Sequence, residues 1–532
     1  MKLNYKTTFY VGLIFFSISM FWQAYDMLIA KTLIDKFGLN QFESGLVMAF
    51  DNIMAVILLP LFGALSDKSQ HKLGRRTPYI IVGTILAALS FMTLSYADYK
   101  QTERIETIDL VEEHYDVAFD EEKDITLRSH WYMVADIMRT ERREVYTSGA
   151  ISLIEFWDWE DTIYEPMIEI LDQGTETLSV RDQTRVRDLY FQYLSLRAWE
   201  LTASDPDIFY MFIAILFISL VSMAIYRTPA IALMPDVTIK PLRTHANAFI
   251  TFLGAIGGVL AVFIILFSGL NQDAYHHHVS VYIIIGIIML ISLAVFLWKV
   301  KEPKLVQEKE ALEDKLGIKE NDPYENPEKS FNTKKRISLY LLLTTVFFLF
   351  FGYNAVMSKI ADYLPKVLNM EFYQLPFIIV QGIVIAAIYP IGLLSIKLGR
   401  KTSMLIGIFM LILSMATVVF IEQNQIILTA AIIMFSGFGW TFTGVNIYPM
   451  VVELSKGRNV GQYTGYYYAA SMGAQIFTPI LSGILMDRFG RIILFPYATI
   501  FMGLAFLTMI FVRHGDPQKI DWKNLFKNKK KV

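Results

Sequence analysis

Apolar runs long enough to cross a bilayer recur along the chain, each followed by a short polar break. A hydrocarbon core of about 30 Å takes about 20 apolar residues per helix. The pattern predicts twelve spans, at 8–34, 43–66, 78–97, 207–235, 246–270, 280–299, 337–358, 373–396, 402–421, 427–452, 461–486 and 491–512. The first run continues past Phe9 without a small-residue cleavage site, so it reads as a retained helix and not as a signal peptide.

Two polar segments interrupt the series. Residues 300–336 are charged, contain three prolines and read as a linker with one short surface helix. They divide the spans into two sets of six. Residues 99–205 are too long for an ordinary connection and keep apolar residues at near-helical spacing, as in "HWYMVADIM" and "VRDLYFQYLSLRAWELTA", which predicts a small helical domain. The expected organisation is 1–98 (spans one to three), 99–205 (inserted domain), 206–299 (spans four to six), 300–336 (linker), 337–512 (spans seven to twelve) and 513–532 (basic tail).

Composition agrees with a membrane class: 54% of the 532 residues are hydrophobic and 14% aromatic. Short loops on one side carry eleven basic residues, Lys68, Lys72, Arg75, Arg76, Lys240, Arg243, Lys397, Arg400, Lys401, Lys456 and Arg458. Basic loops stay cytoplasmic, so both termini are expected inside and the insertion outside. The tail "KNLFKNKKKV" then lies against anionic lipid. The formal charge of −2 conceals a separation, because residues 98–207 hold 27 acidic against 11 basic residues. The absence of cysteine excludes disulfides and thiolate chemistry. No nucleotide- or nucleic-acid-binding motif is present; "GAIGG" (254–258) lies inside an apolar span and reads as close helix packing. "HHH" (276–278) reads as a solvated loop, with metal binding or pH sensing as the alternative.

The two halves echo one another. Gly63, Lys68 and Gly74-Arg75-Arg76 correspond to Gly392, Lys397 and Gly399-Arg400-Lys401, and "MPDVTIKPLR" corresponds to "VVELSKGR", pairing Asp236 with Glu453 and Arg243 with Arg458. The segment Gly63-x-x-x-Asp67-Lys68 closed by Gly74-Arg75-Arg76 resembles the cytoplasmic loop signature of the major facilitator superfamily. Its lengthened gap, with Thr77-Pro78-Tyr79 and residues 226–258, is similar to the branch of plant sucrose transporters and bacterial glycoside-pentoside-hexuronide cation symporters. The resemblance covers the twelve spans but not the insertion. It implies an all-α membrane protein of twelve transmembrane helices in two six-helix bundles, with an extracytoplasmic helical insertion between helices three and four. It also implies cation-coupled import of a glycoside or disaccharide, with no cofactor beyond a proton or sodium ion, at a bacterial plasma membrane. A uniporter or exporter of another polar solute, or a sugar-sensing receptor, are the alternatives; an enzyme is not expected.

Asp67 is expected to latch one conformation by accepting hydrogen bonds from Arg75 or Arg76, although these charges also satisfy the positive-inside pattern and cap helices. The gating set is Asp67, Arg75, Arg76, Asp236, Arg243, Arg400, Glu453 and Arg458, and Ile396 replaces the acidic residue in the second half. Asp26 and Asp51 stand deep in apolar spans, where an ionisable group is costly and faces a bundle interior or a wet cavity. The natural counter-ion is Arg227, which alternatively belongs to the inner gate. Two departures from the resembling families stand out. The mid-span-four acidic position of sucrose transporters falls at Leu220, and the sodium carboxylates of melibiose-type symporters fall at Ala55 and Leu59. Coupling has then moved to Asp51 or Asp26, or is absent.

Sugar recognition needs aromatic faces with amides and carboxylates. Candidates are Trp22, Gln23, Tyr25, Asn52, Tyr353, Asn354, Gln381, Trp440, Asn446, Tyr467 and Gln475; no catalytic or metal-ligating set is assigned. The insertion reads as a cap or an assembly surface for homo-oligomers, or as a carbohydrate-collecting module stacking sugars on Trp157 and Trp159 of "FWDWEDTIY".

Overall fold

A computed structural model describes residues 4–108, 118, 124–173, 176–239, 242–268, 277–316, 333–370, 374–423, 425–454 and 460–513. Among the described residues, eleven helices are long and apolar enough to cross a membrane. A twelfth, Gln374–Leu398, has 25 residues and carries the apolar stretch Phe377–Ile388.

The first six spanning helices are α1 (Tyr5–Lys31), α2 (Gln41–Lys68), α3 (Thr77–Glu106), α8 (Asp207–Val237), α9 (Arg243–Phe267) and α10 (Val279–Lys299). The second six are α12 (Thr333–Leu368), α13 (Gln374–Leu398), α14 (Arg400–Val418), α15 (Ile426–Glu453), α16 (Val460–Phe489) and α17 (Leu494–Phe511). Between the sets, α11 (Glu302–Leu316) is the short helix expected in the linker. Pairing within the sets is mainly α1 on α9, α3 on α8, α14 on α15 and α12 on α17. "GAIGG" does pack closely: a Cβ on Gly257 would lie 2.2 Å from the Phe16 carbonyl oxygen of α1.

Several helices outrun their predicted spans. α3 continues nine residues past Ala97 to Glu106, and α12 ends at Leu368 instead of residue 358. Hydropathy falls at these ends because charges enter, yet the charges are paired and the helices persist. Lys36, for example, bonds Asp98 at 2.6 Å, with both side chains fully buried.

The insertion folds around its own apolar core. It holds α4 (Arg128–Thr147), α5 (Leu153–Trp159), α6 (Glu165–Asp172) and α7 (Val180–Ser204), with Trp131, Met138, Trp159, Met167, Tyr190 and Leu194 buried among them. Ile105 at the end of α3 joins that core, and only Asp205 and Pro206 separate α7 from α8. The domain is thereby tied to the first bundle at both ends. Its surroundings define the insert end of the molecule; the loops bearing Arg75 and Arg76 define the opposite, latch end. Of the three histidines, His277 is exposed, as expected, whereas His278 is buried and its backbone N–H donates to Asp98 at 2.6 Å; His276 lies outside the described residues.

Candidate functional site

Between the bundles lies a cavity of about 310 Å³, lined by Trp22, Tyr25 and Asp26 of α1, Met48, Asp51, Asn52 and Ala55 of α2, and Arg227 of α8. The second bundle adds Phe350, Asn354, Met357 and Ser358 of α12 and Tyr467, Tyr468, Ser471, Met472, Gln475 and Pro479 of α16. Both intramembrane carboxylates therefore meet one space with one guanidinium. Arg227 shares the cavity with both carboxylates but makes no direct ion pair with either of them. Its guanidinium stands 5.3 Å from the centroid of the Trp22 ring, while Asp51 Oδ1 accepts from the backbone and side-chain nitrogens of Asn52, each at 2.6 Å. Ala55, where the resemblance placed a sodium carboxylate, lines the same wall one turn beyond Asp51.

The remaining candidates separate. Tyr353, Gln381 and Trp440 line a neighbouring cavity of about 100 Å³ within the second bundle, sharing Met357 with the central one. Tyr353 and Trp440 stack face to face at 3.7 Å and 9°, so each ring occupies the other. Asn446 is spent on structure, donating to Ser395 Oγ at 3.0 Å and to the Phe442 carbonyl at 2.8 Å. Gln23 is not among the cavity residues; its Oε1 lies 3.7 Å from where a Gly258 Cβ would stand, on the α1–α9 face. Trp159 is buried inside the insertion while Trp157 is exposed, so the paired-tryptophan sugar platform does not form.

Toward the insert end the cavity is sealed by two crossing helices. A Cβ on Gly45 of α2 would lie 2.2 Å from the Pro479 carbonyl oxygen of α16, and one on Gly483 would lie 2.4 Å from the Gln41 carbonyl oxygen. Only glycine allows that approach. Asp487 of α16 then caps the first turn of α2, accepting from the N–H groups of Gln41 at 2.8 Å and Phe42 at 2.7 Å. Lys359 donates to the Gln41 carbonyl at 3.1 Å, and Gln41 Nε2 donates to Asp362 at 2.9 Å. Lys366 pairs with Asp35 across the bundles and with Asp362 at 2.8 Å, and Arg491 Nε donates to Asp362 at 2.8 Å. Sequence reasoning missed this layer, because its charges sit where hydropathy windows stop. The available signal was Lys359, Asp362 and Lys366 at helical spacing in "SKIADYLPKVL".

At the latch end, Arg76 pairs with Asp67 and, at 2.9 Å, with Asp236, while Arg75 donates to Asp236 at 3.0 Å. The hydrogen bond and charge of Asp236 hold the Arg75 guanidinium above its ordinary pKa despite partial burial. Glu302 of α11 completes the arrangement unforeseen, accepting from the N–H groups of Arg76 at 3.0 Å and Thr77 at 2.8 Å and so capping α3. All these groups belong to the first bundle or the linker. The repeat in the second half is real in backbone geometry, since Gly74 and Gly399 both have positive φ, 111° and 89°. Its basic residue acts differently: Lys401 caps the end of α17 through the carbonyls of Ile510 and Val512, at 2.7 and 2.6 Å. Arg400 is half-buried, Arg458 lies outside the described residues, and the side chains of Arg243 and Glu453 are likewise not described.

Comparison with known proteins agrees with this architecture. The model of the Major Facilitator Superfamily matches residues 192–479 and 373–530, and that of the MFS/sugar transport protein family matches residues 10–97. No curated protein sequence matches the chain. Among solved structures, the inward-open xylose transporter XylE from E. coli is 14% identical, with a TM-score of 0.56, covering 99% of this chain and 100% of that one. A bacterial homologue of the iron transporter ferroportin in its inward-facing state is 12% identical (TM-score 0.53; 96% and 99% covered). The nucleoside transporter NupG is 13% identical (TM-score 0.52; 95% and 100% covered). At such identities these structures speak for the fold, and the family models for the lineage: the chain belongs to the major facilitator superfamily and is a transporter, not an enzyme.

Proposed function

We propose that the protein is a secondary transporter that imports a small glycoside or disaccharide, coupled to a cation, by alternating access about the central cavity. The observation that carries this reading is the composition of that cavity. Two carboxylates, Asp26 and Asp51, share it with one guanidinium, Arg227, beside aromatic rings and the amides Asn52, Asn354 and Gln475. At membrane depth, one uncompensated carboxylate is costly and calls for a proton or a metal cation. The rings and amides suit the apolar faces and hydroxyls of a sugar. A volume of about 310 Å³ stands at the lower end of small-ligand sites, about 300–1,000 Å³, and favours one or two sugar units over longer chains.

The sugar-transport family model over 10–97 and the fold likeness to a D-xylose–proton symporter support the same class, and the proton is the proposed coupling ion. The basic loops support an orientation with the latch end and both termini in the cytoplasm and the insertion outside, and the proposed location is a bacterial plasma membrane. Closure at the insert end then makes this the inward-facing half of the cycle.

A thermal-shift panel of mono- and disaccharide glycosides on the purified protein tests the substrate class. A ligand present at 100 times its Kd adds about 2.7 kcal/mol to stability. At least one glycoside raises Tm, and Asn354→Ala with Gln475→Ala removes the shift. A shift with nucleosides or organic ions and with no sugar would reassign the substrate. Stabilisation by a sugar without translocation would make the protein a receptor.

A further inference from the structure

The inserted domain does more than stand beside the entrance. One face of α7 enters the sealed layer at the insert end. Arg187, fully buried, donates to the Pro365 carbonyl at 3.2 Å and to Asn369 Oδ1 at 3.0 Å, both at the end of α12. Asp188 accepts from the Arg491 backbone N–H at 3.0 Å and pairs with its guanidinium, at the turn that opens α17. Gly490 precedes that turn with a φ of 78°, and a Cβ there would stand 2.6 Å from Asp188 Oδ2. The buried ring of Phe191 lies 5.0 Å from Lys366 Nζ and 5.9 Å from the Arg491 guanidinium.

Every one of these partners belongs to the second bundle, whereas the insertion is rooted in the first through α3 and α8. When the bundles part at the insert end, α7 cannot stay with both. We propose that the insertion is a clasp: its Arg187–Asp188–Phe191 face holds the insert end shut, and these contacts must break in every transport cycle. The clasp adds contacts present in only one conformation, which is what shifts an alternating equilibrium. It rests on the alternating-access reading but not on the substrate or the coupling ion.

The test reads conformation and not transport, so its failure would leave the proposed substrate class standing. Ala49 is fully buried in α2 and continues the Gln41–Gly45 stripe that faces α16. In this cysteine-free chain, Ala49→Cys reports opening of the seal to an impermeant maleimide. Asp188→Asn keeps the shape and removes the charge, and loss of a charge-assisted contact raises the labelling rate about tenfold. Asn369→Gly suits the φ of 53° at that position and removes only the Arg187 acceptor, so it gives a rise of about threefold even if Asp188→Asn does not fold. Glu141→Gln, which breaks the Glu141–Arg197 pair inside the insertion, is the control and leaves labelling unchanged. Unchanged labelling in folded Asp188→Asn or Asn369→Gly protein would overturn the clasp. An equal rise in Glu141→Gln would overturn it too, because general loosening of the domain would then explain the effect.

Discussion

Placing alanine at the glycine crossing separates conformational balance from stability. At Gly483 the new Cβ would lie 2.4 Å from the Gln41 carbonyl oxygen, 2.7 Å from its carbon and 2.8 Å from Phe42 Cα. All three are backbone atoms in the first turn of α2, which Asp487 also holds, so no side chain can swing aside. Comfortable carbon contacts begin near about 3.5 Å, so α2 and α16 must part by about 1 Å. Overpacking of this kind costs about 1–3 kcal/mol, and only while the insert end is closed. Alanine also gains about 1 kcal/mol of helix propensity over glycine, and gains it equally in the open and closed states. Gly483→Ala and Gly45→Ala should therefore leave Tm within a few degrees while moving the equilibrium toward opening by about 5- to 150-fold. Nitroxide labels at Trp157→Cys on the insertion and Phe420→Cys beyond α14, both exposed, read the separation by pulsed electron resonance. A new longer distance is expected in the alanine variants. An unchanged distribution together with a lowered Tm would show that the crossing is ordinary core and not a seal.

Three further outcomes follow from the sites described. Asp51→Asn, which keeps the shape and removes the charge beside Asn52, should abolish gradient-driven accumulation and leave substrate exchange, measured as counterflow in vesicles; normal accumulation by folded protein would remove Asp51 from coupling. At the latch end, Asp236→Ala should alter cysteine accessibility more than Asp67→Ala, because Asp236 is 12% exposed and serves two arginines while Asp67 is 60% exposed and largely solvent-screened; equal effects would contradict this ranking. Glu302→Ala strips the cap from α3 and should cost about 1–3 kcal/mol, seen as a lowered Tm in thermal unfolding; an unchanged Tm would show that the cap is dispensable.

The twelve spans and the internal repeat were legible because apolar length and basic loops are local signals. The repeat extends to backbone detail, as the positive φ of Gly74 and Gly399 shows. Asp26, Asp51, Asn52 and Arg227 were legible as polar residues in apolar helices, and the fold does bring them to one cavity. The fate of the amides was not legible: Asn446 and Asn354 look alike in sequence, yet one is bonded to Ser395 and the other lines the cavity. Which face of a buried helix meets a partner depends on packing across hundreds of residues. The same holds for Glu302, whose bonds to Thr77 span 225 positions, and for Asp188, which meets Arg491 across 303. No local pattern announces such pairs. Trp159 misled for a related reason, since alternating aromatic and acidic residues suit either a sugar platform or a helix packed on its own domain, and burial chose the second.

The central claim is that a cation gradient drives a sugar through the cavity shared by Asp26, Asp51 and Arg227. Uptake of a labelled disaccharide into proteoliposomes, with and without an imposed proton gradient and with sodium varied independently, tests it most directly. The account predicts accumulation above the external concentration only while the cation gradient lasts, and its collapse when an ionophore is added. Entry that merely equilibrates under every gradient, or binding without entry, would contradict it.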